Sequence, residues 1–120
     1  MPAEGSKQAL RAELVATNRA LNASGVNRGT SGNLSVRCGH AMLITPSAVP
    51  APDLDPEKLP LMPLADENGA SEGPLKPSSE WRFHRDLLRV CLNVGVVVHT
   101  HSPFATILAI ALKPIPQCFT

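Results

Sequence analysis

The sequence predicts one mixed α/β layered domain, and three observations carry that reading. Segments of helical spacing alternate with short alternating or β-branched apolar runs, in the order helix, hairpin, edge strand, helix, strand, helix. The chain has 120 residues, 43% of them hydrophobic and 18% charged, which suits one core and leaves little room for a second. Six prolines, Pro46, Pro50, Pro52, Pro56, Pro60 and Pro63, fall in one stretch, where they mark a connection rather than the inside of an element.

Each element has its own local signal. From Ser6 to Asn22, Leu10, Leu14 and Leu21 recur at helical spacing with Ala9, Val15 and Ala16 beside them, and Gly25 supplies the stop. Residues Val26 to Asn33 hold two glycines among small polar residues and read as a loop rich in backbone amides. Leu34 and Val36, then Met42 and Ile44, alternate with Ser35, Arg37, Leu43 and Thr45 across Cys38-Gly39-His40-Ala41, which predicts a β-hairpin. Leu59, Leu61, Met62 and Leu64 predict a short edge strand, limited by Pro60 and Pro63, and Asp66 to Gly69 predict a turn. Pro77 and Ser78 lead into a helix running to Val90, with Ser78 as N-cap and Glu80 in the first turn. Val94 to Val98 are nearly continuous β-branched residues, as in a strand buried on both faces. Ser102 and Pro103 suit N-cap and first position of a helix from Phe104 to Leu112, which Pro114 and Pro116 end.

Composition also excludes partners. A formal net charge of +1, four aromatic side chains and no tyrosine argue against a nucleic-acid surface, which needs a basic stripe or stacking platforms. No apolar run approaches the ~20 residues of a bilayer span, so no membrane partner is expected. The start MPAEGSKQAL lacks the apolar stretch of a secretory signal, and Cys38, Cys91 and Cys118 are odd in number without metal-type spacing. Reduced thiols and a cytoplasmic location follow as expectations, with Cys91 and Cys118 as buried structural thiols.

The richest chemistry lies in His99-Thr100-His101, at the end of the valine strand. Side chains two apart on a strand share a face, so both imidazoles point one way, an arrangement that suits zinc or merely ends a strand in water. Glu80 either complements the helix start or serves as a general base and transient metal ligand. Ser78 and Ser79 either cap that helix or, with its free amides, hold a phosphate. The Gly29-Thr30-Ser31-Gly32-Asn33 loop is a second candidate phosphate cradle, weak alone. His40 and His84 read as surface residues rather than ligands.

Four of these stretches together resemble one family. Gly-Thr-Ser-Gly-Asn-Leu-Ser-Val-Arg (29 to 37), Leu-Ile-Thr-Pro-Ser (43 to 47), Lys-Pro-Ser-Ser-Glu-Trp-Arg-Phe-His (76 to 84) and Val-Val-His-Thr-His-Ser (97 to 102) stand in the order and spacing of the class II aldolase/adducin family, most like its L-fuculose-phosphate aldolase type. The resemblance runs from about Leu10 to Pro116. It implies an α/β/α layered fold on a mixed, largely antiparallel sheet, with residues 1–120 forming one N-terminal part of about half the family domain.

The resemblance further implies a zinc-dependent lyase, or one using another divalent metal, that performs retro-aldol cleavage of a small sugar phosphate such as a ketose 1-phosphate. His99 and His101 then bind the metal with Glu80, Glu80 is the catalytic acid/base, and Thr30, Asn33, Ser47, Ser78 and Ser79 hold the substrate phosphate. Relatives with epimerase, dehydratase or decarboxylase activity share that site, and adducin-like heads are non-catalytic binding domains, so these stand as alternatives. The family's third metal histidine and its tyrosine acid have no counterpart in these 120 residues, which implies an incomplete site and a fragment with little or no activity. A homotetramer with sites at subunit boundaries is implied as well. One local departure stands out: the family's glycine after Thr-Pro-Ser is Ala48 here.

Overall fold

The structure is a computed structural model that describes residues 4–114. Helix α1 spans Glu4–Ala23, strands β1 and β2 span Asn33–Cys38 and Ala41–Ile44, and β3 spans Leu61–Pro63. Helix α2 spans Trp81–Val90, strand β4 Val96–His99 and helix α3 Pro103–Ile110. The order of elements is the one the sequence predicts. The four strands form one sheet in the order β3-β2-β1-β4, antiparallel at every pairing.

The sheet separates two apolar clusters, and strand alternation assigns residues to them. Ala41 and Leu43 face one side with Leu34, Leu61 and the α1 residues Leu14 and Val15. Met42 and Ile44 face the other with Met62, Trp81, Leu88 and Val97. Helix α1 therefore covers one face and α2 the other, giving three layers. On α1 the buried stripe is Leu14 and Val15 flanked by Leu10 and Leu21, while Ala9 and Ala16 face solvent.

The proline-rich connection is pinned by arginines. Prolines supply carbonyls without N–H groups, so such a segment cannot satisfy itself. From α1, Arg11 donates to the Pro56 and Leu59 carbonyls at 3.0 and 3.1 Å, and Arg19 donates to those of Ala51 and Leu54 at 3.2 and 2.8 Å. At the far edge, Leu61 and Glu72 exchange backbone hydrogen bonds of 3.1 and 2.8 Å, which closes part of the β3 edge.

Two sequence expectations change here. The valine strand is buried on one face, not both: Val97 is buried, but Val96 and Val98 are 53% and 47% exposed. Those two point to the α1 side, where α1 covers β1 and β2 and stops short of β4. Cys91 is half-buried rather than part of the core, and Cys118 lies outside the described residues together with Pro116. Helix α3 begins as expected, with Ser102 at the N-cap and Pro103 in the first turn, but it buries no residue among those described. No described helix is long and apolar enough to cross a membrane.

Candidate functional site

One end of the sheet gathers the chemistry. Asn33 at the start of β1 sits directly opposite His99 at the end of β4, so the glycine loop and the His-Thr-His segment meet by strand register alone. Gly32, just before Asn33, adopts φ +80°, and a Cβ there would lie 2.6 Å from the side-chain amide of Asn27. Only glycine fits that approach. Asn27 is buried, and its Oδ1 accepts the His101 backbone N–H at 3.2 Å, which ties the loop to the segment carrying the histidines.

Helix α2 enters the same place, with a correction to its start. Ser78 is not the N-cap and Glu80 is not in the first turn: the N-cap residue is Glu80, with φ −95° and ψ 18°. The chain first makes a tight turn in which Trp81 N–H donates to the Ser78 carbonyl at 3.1 Å, and this delays the helix by two residues. Ser78 still serves the turn, since its Oγ accepts the Glu80 N–H at 3.3 Å. The Glu80 carboxylate makes no capping bond and turns to its neighbours instead. Its Oε2 accepts from Asn33 Nδ2 at 2.8 Å and from His99 Nδ1. The Asn33 amide, helped by His99, holds the Glu80 carboxyl below its ordinary range against the opposing effect of burial.

His84 is the second correction, because it is fully buried rather than on the surface. It lies one turn beyond Glu80, and α2 presents Glu80, His84 and Leu88 in a row to the polar face of β1, which carries Asn33, Ser35 and Arg37. The two rows match in order. Asn33 meets Glu80 and His84, the Ser35 hydroxyl meets His84 Nδ1 at 2.6 Å, and Arg37 donates to the Leu88 carbonyl at 2.6 Å. Burial, with the nearby His99, pushes the His84 pKa down to about 4, so the ring is neutral at neutral pH. His40 is exposed, as expected.

Beside this end of the sheet lies a cleft of about 310 Å3 lined by Thr30, Asn33, Ser47, Ser78, Ser79, Glu80 and His101, among others. A bridge between Pro46 and Pro77, and a 2.8 Å bond from Ser47 N–H to the Lys76 carbonyl, bring the two serine-bearing segments together. The Ser78 N–H is likewise spent on the Thr45 carbonyl at 3.0 Å, so Ser47 and Ser78 have hydroxyls rather than amides to offer. His99 adjoins the cleft through Glu80, and its ring centroid is 4.7 Å from that of His101. Among the described residues, no three His, Cys, Asp or Glu side chains are grouped to hold a metal ion.

Ala48 lines the cleft with φ 59°, in the left-handed region. An L-residue there is strained by about 1–2 kcal/mol, and the side chain is exposed, with little packing to lose. Ala48→Gly is therefore expected to stabilise the chain by roughly 0.5–1 kcal/mol, the strain relieved less the added freedom of glycine in the unfolded state. A lower melting temperature for that variant would contradict the strain.

The family model described as "Class II Aldolase and Adducin N-terminal domain" matches residues 12–120. The chain belongs to that family. It is 51% identical over 112 residues to a 5-methylthioribulose-1-phosphate/5-deoxyribulose-1-phosphate aldolase of Rhodospirillum rubrum, covering 93% of this chain and 49% of the relative. It is 36% identical over 107 residues to the L-fuculose phosphate aldolase of Escherichia coli K12, covering 89% and 48%. A solved L-fuculose 1-phosphate aldolase superposes with a TM-score of 0.81 at 31% identity, over 97% of this chain and 53% of the other. The fold is that of a class II aldolase, and the chain spans about half the length of the curated relatives it matches.

Within this class II aldolase segment, the residue that sequence reasoning missed is His84. A signal was present: Asn33, Ser35 and Arg37 are polar at alternate positions of a strand, and such a face needs a polar partner.

Proposed function

We propose that this class II aldolase chain carries the phosphate-binding and proton-transfer part of a site that cleaves a ketose 1-phosphate by a retro-aldol reaction, with a divalent metal, zinc by preference. The observation that supports it is the composition of the cleft. Hydroxyl and amide side chains of Thr30, Asn33, Ser47, Ser78 and Ser79 line it, and Glu80 is the one Asp, Glu, Lys or Arg among its lining residues. A phosphate dianion set among neutral donors beside a carboxylate needs a nearby cation.

The chemistry of the adjoining residues fits such a cation. His99 gives its Nδ1–H to Glu80, which leaves Nε2 with its lone pair, and His101 and the carboxylate add a second imidazole and a hard oxygen. His99 and His101 would hold the metal, with Glu80 joining them once its carboxylate leaves His99 Nδ1, since the three side chains are not grouped as a metal set as they stand; when bound, the metal supplies Lewis acidity to the carbonyl and hydroxyl oxygens of the substrate. Because Glu80 must also move protons, only two imidazoles remain as lasting ligands, one fewer than the three protein ligands usual for a catalytic zinc, so these residues alone bind it weakly and give little or no turnover.

The residues divide the remaining work. Thr30, Asn33, Ser47, Ser78 and Ser79 fix the phosphate, and with it the reacting carbons, beside Glu80. Breaking the carbon–carbon bond next to the bound three-carbon piece requires a proton to leave the adjacent hydroxyl and a proton to arrive on the enediolate that remains. Glu80, ionised and held by Asn33, is the group placed to carry it. The names of the two relatives favour a short ketulose 1-phosphate as substrate.

Calorimetric titration with phosphoglycolohydroxamate, a mimic of the enediolate, tests this reading. Zinc should strengthen binding by roughly tenfold or more, and Ser79→Ala should remove about tenfold, the worth of one hydrogen bond to a charged group. No binding with or without zinc, or no change on Ser79→Ala, would sink it.

A further inference from the structure

We propose that Ser35 and His84 are positioning residues: through a one-way chain of hydrogen bonds they fix the amide of Asn33, and through it the carboxylate of Glu80 and the tautomer of His99. The inference rests on the reading of Glu80 and His99 given above. Neither Ser35 nor His84 lines the cleft, and both are fully buried.

The direction of the chain follows from what each group can do. A carboxylate only accepts, so the Asn33 group facing Glu80 at 2.8 Å is the NH2. The other end of that amide, the carbonyl Oδ1, must then face His84, so His84 Nε2 carries a hydrogen and donates it. With Nε2 protonated on a neutral ring, Nδ1 has only a lone pair, and the Ser35 hydroxyl donates to it at 2.6 Å. Every bond thus has one allowed sense. At the other end, His99 Nδ1–H donates to the same Glu80 oxygen that Asn33 holds. Glu80 Oε1 makes no hydrogen bond among the described residues, and the cleft lies beside it.

His84 satisfies two buried polar groups of β1, the Ser35 hydroxyl and the Asn33 carbonyl, beside the apolar cluster of Trp81 and Leu88. Satisfying them also fixes which way the Asn33 amide faces, and that second effect is the positioning role. Without His84, the Asn33 amide is oriented by the Glu80 carboxylate alone and loses the anchor on its oxygen, so it holds Glu80 less firmly and loosens the hold of that carboxylate on the His99 tautomer. Ser35 matters for the same reason: it holds the His84 ring in the one state that accepts from serine and donates to asparagine.

The test uses the 120-residue chain with 15N-labelled histidine rings, metal-free at about pH 8.5, where neutral imidazoles dominate. Long-range proton–nitrogen spectra should show His84 as the Nε2–H tautomer and His99 as the Nδ1–H tautomer. In His84→Leu, checked as folded by near-ultraviolet circular dichroism, His99 should become a mixture of tautomers and zinc affinity should fall about tenfold. Ser35→Ala should produce a smaller mixture, and His84→Gln, whose amide can still donate to Asn33, should restore most of the loss. An unchanged His99 tautomer in folded His84→Leu and in Ser35→Ala would overturn the proposal. Should the native chain bind no zinc at all, the functional reading fails, and the tautomer spectra still decide the relay.

Discussion

Arg37→Met is expected to destabilise the chain by about 3 kcal/mol, the largest loss for any single side chain outside the apolar clusters. The Arg37 guanidinium makes no ion pair among the described residues. It donates instead to backbone carbonyls: Leu88 at 2.6 Å, Cys91 at 3.3 Å, and Val94 through Nη2 at 3.0 Å and Nε at 3.2 Å. The first two belong to the last turn of α2 and the residue after it, where carbonyls lack helical partners and a positive charge is favoured. Hydrogen bonds from a charged donor contribute about 1.5–3 kcal/mol each and are not additive. Methionine keeps the aliphatic stem, so the loss reports the polar contacts. Urea unfolding would measure it, and a change below about 1 kcal/mol would show that water satisfies those carbonyls as well as Arg37 does.

Self-association is the second large effect. Val96, Val98, Phe104, Ile107, Ile110 and Leu112 are all about half exposed or more, with Phe104 at 79% and Leu112 at 89%. Single exposed apolar residues are ordinary, but a run of them on an edge strand and the helix that follows is a surface that water does not tolerate well. Sedimentation velocity across a range of concentrations should show the 120-residue chain moving from monomer to larger species. Val98→Lys with Ile107→Glu should suppress that change while leaving the buried clusters untouched. A native chain that stays monomeric into the hundred-micromolar range would contradict the expectation.

Local patterns made much of this fold legible. The Leu10–Leu14–Leu21 spacing, the alternation across Gly39-His40, the prolines around Leu61 and Met62, and Ser102-Pro103 each identified an element the structure contains. What stayed hidden depended on neighbours distant in sequence. Nothing local to Val96 and Val98 says that α1 ends its cover at β1. His84 sits among Arg82, Phe83 and Arg85, and its burial comes from β1, not from its own helix. The start of α2 was misplaced because Ser78 before Glu80 satisfies the rules for an N-cap equally well, until the turn between Ser78 and Trp81 shifts the helix. The candidate residues themselves were all visible in the four motifs; their arrangement in one cleft was implied by resemblance and not by spacing.

The place of β4 in the sheet has a consequence for the order in which the molecule opens and closes. Strands β1 and β2 are chain neighbours joined by a short turn, and they can pair early at little entropic cost. Strand β4 joins from far along the chain, as the bond between Asn27 and His101 across 74 residues shows, and β1 is its only strand partner among those described. Contacts of such long range are made late and are the first to be given up in partial opening. Detachment of β4 alone would carry off His99 and His101 and leave the glycine loop, Ser47 and the hairpin in place. The two halves of the cleft thus differ in permanence: its hydroxyl-lined side is preformed scaffold, and its histidine side is present only for the fraction of time that one edge strand stays docked.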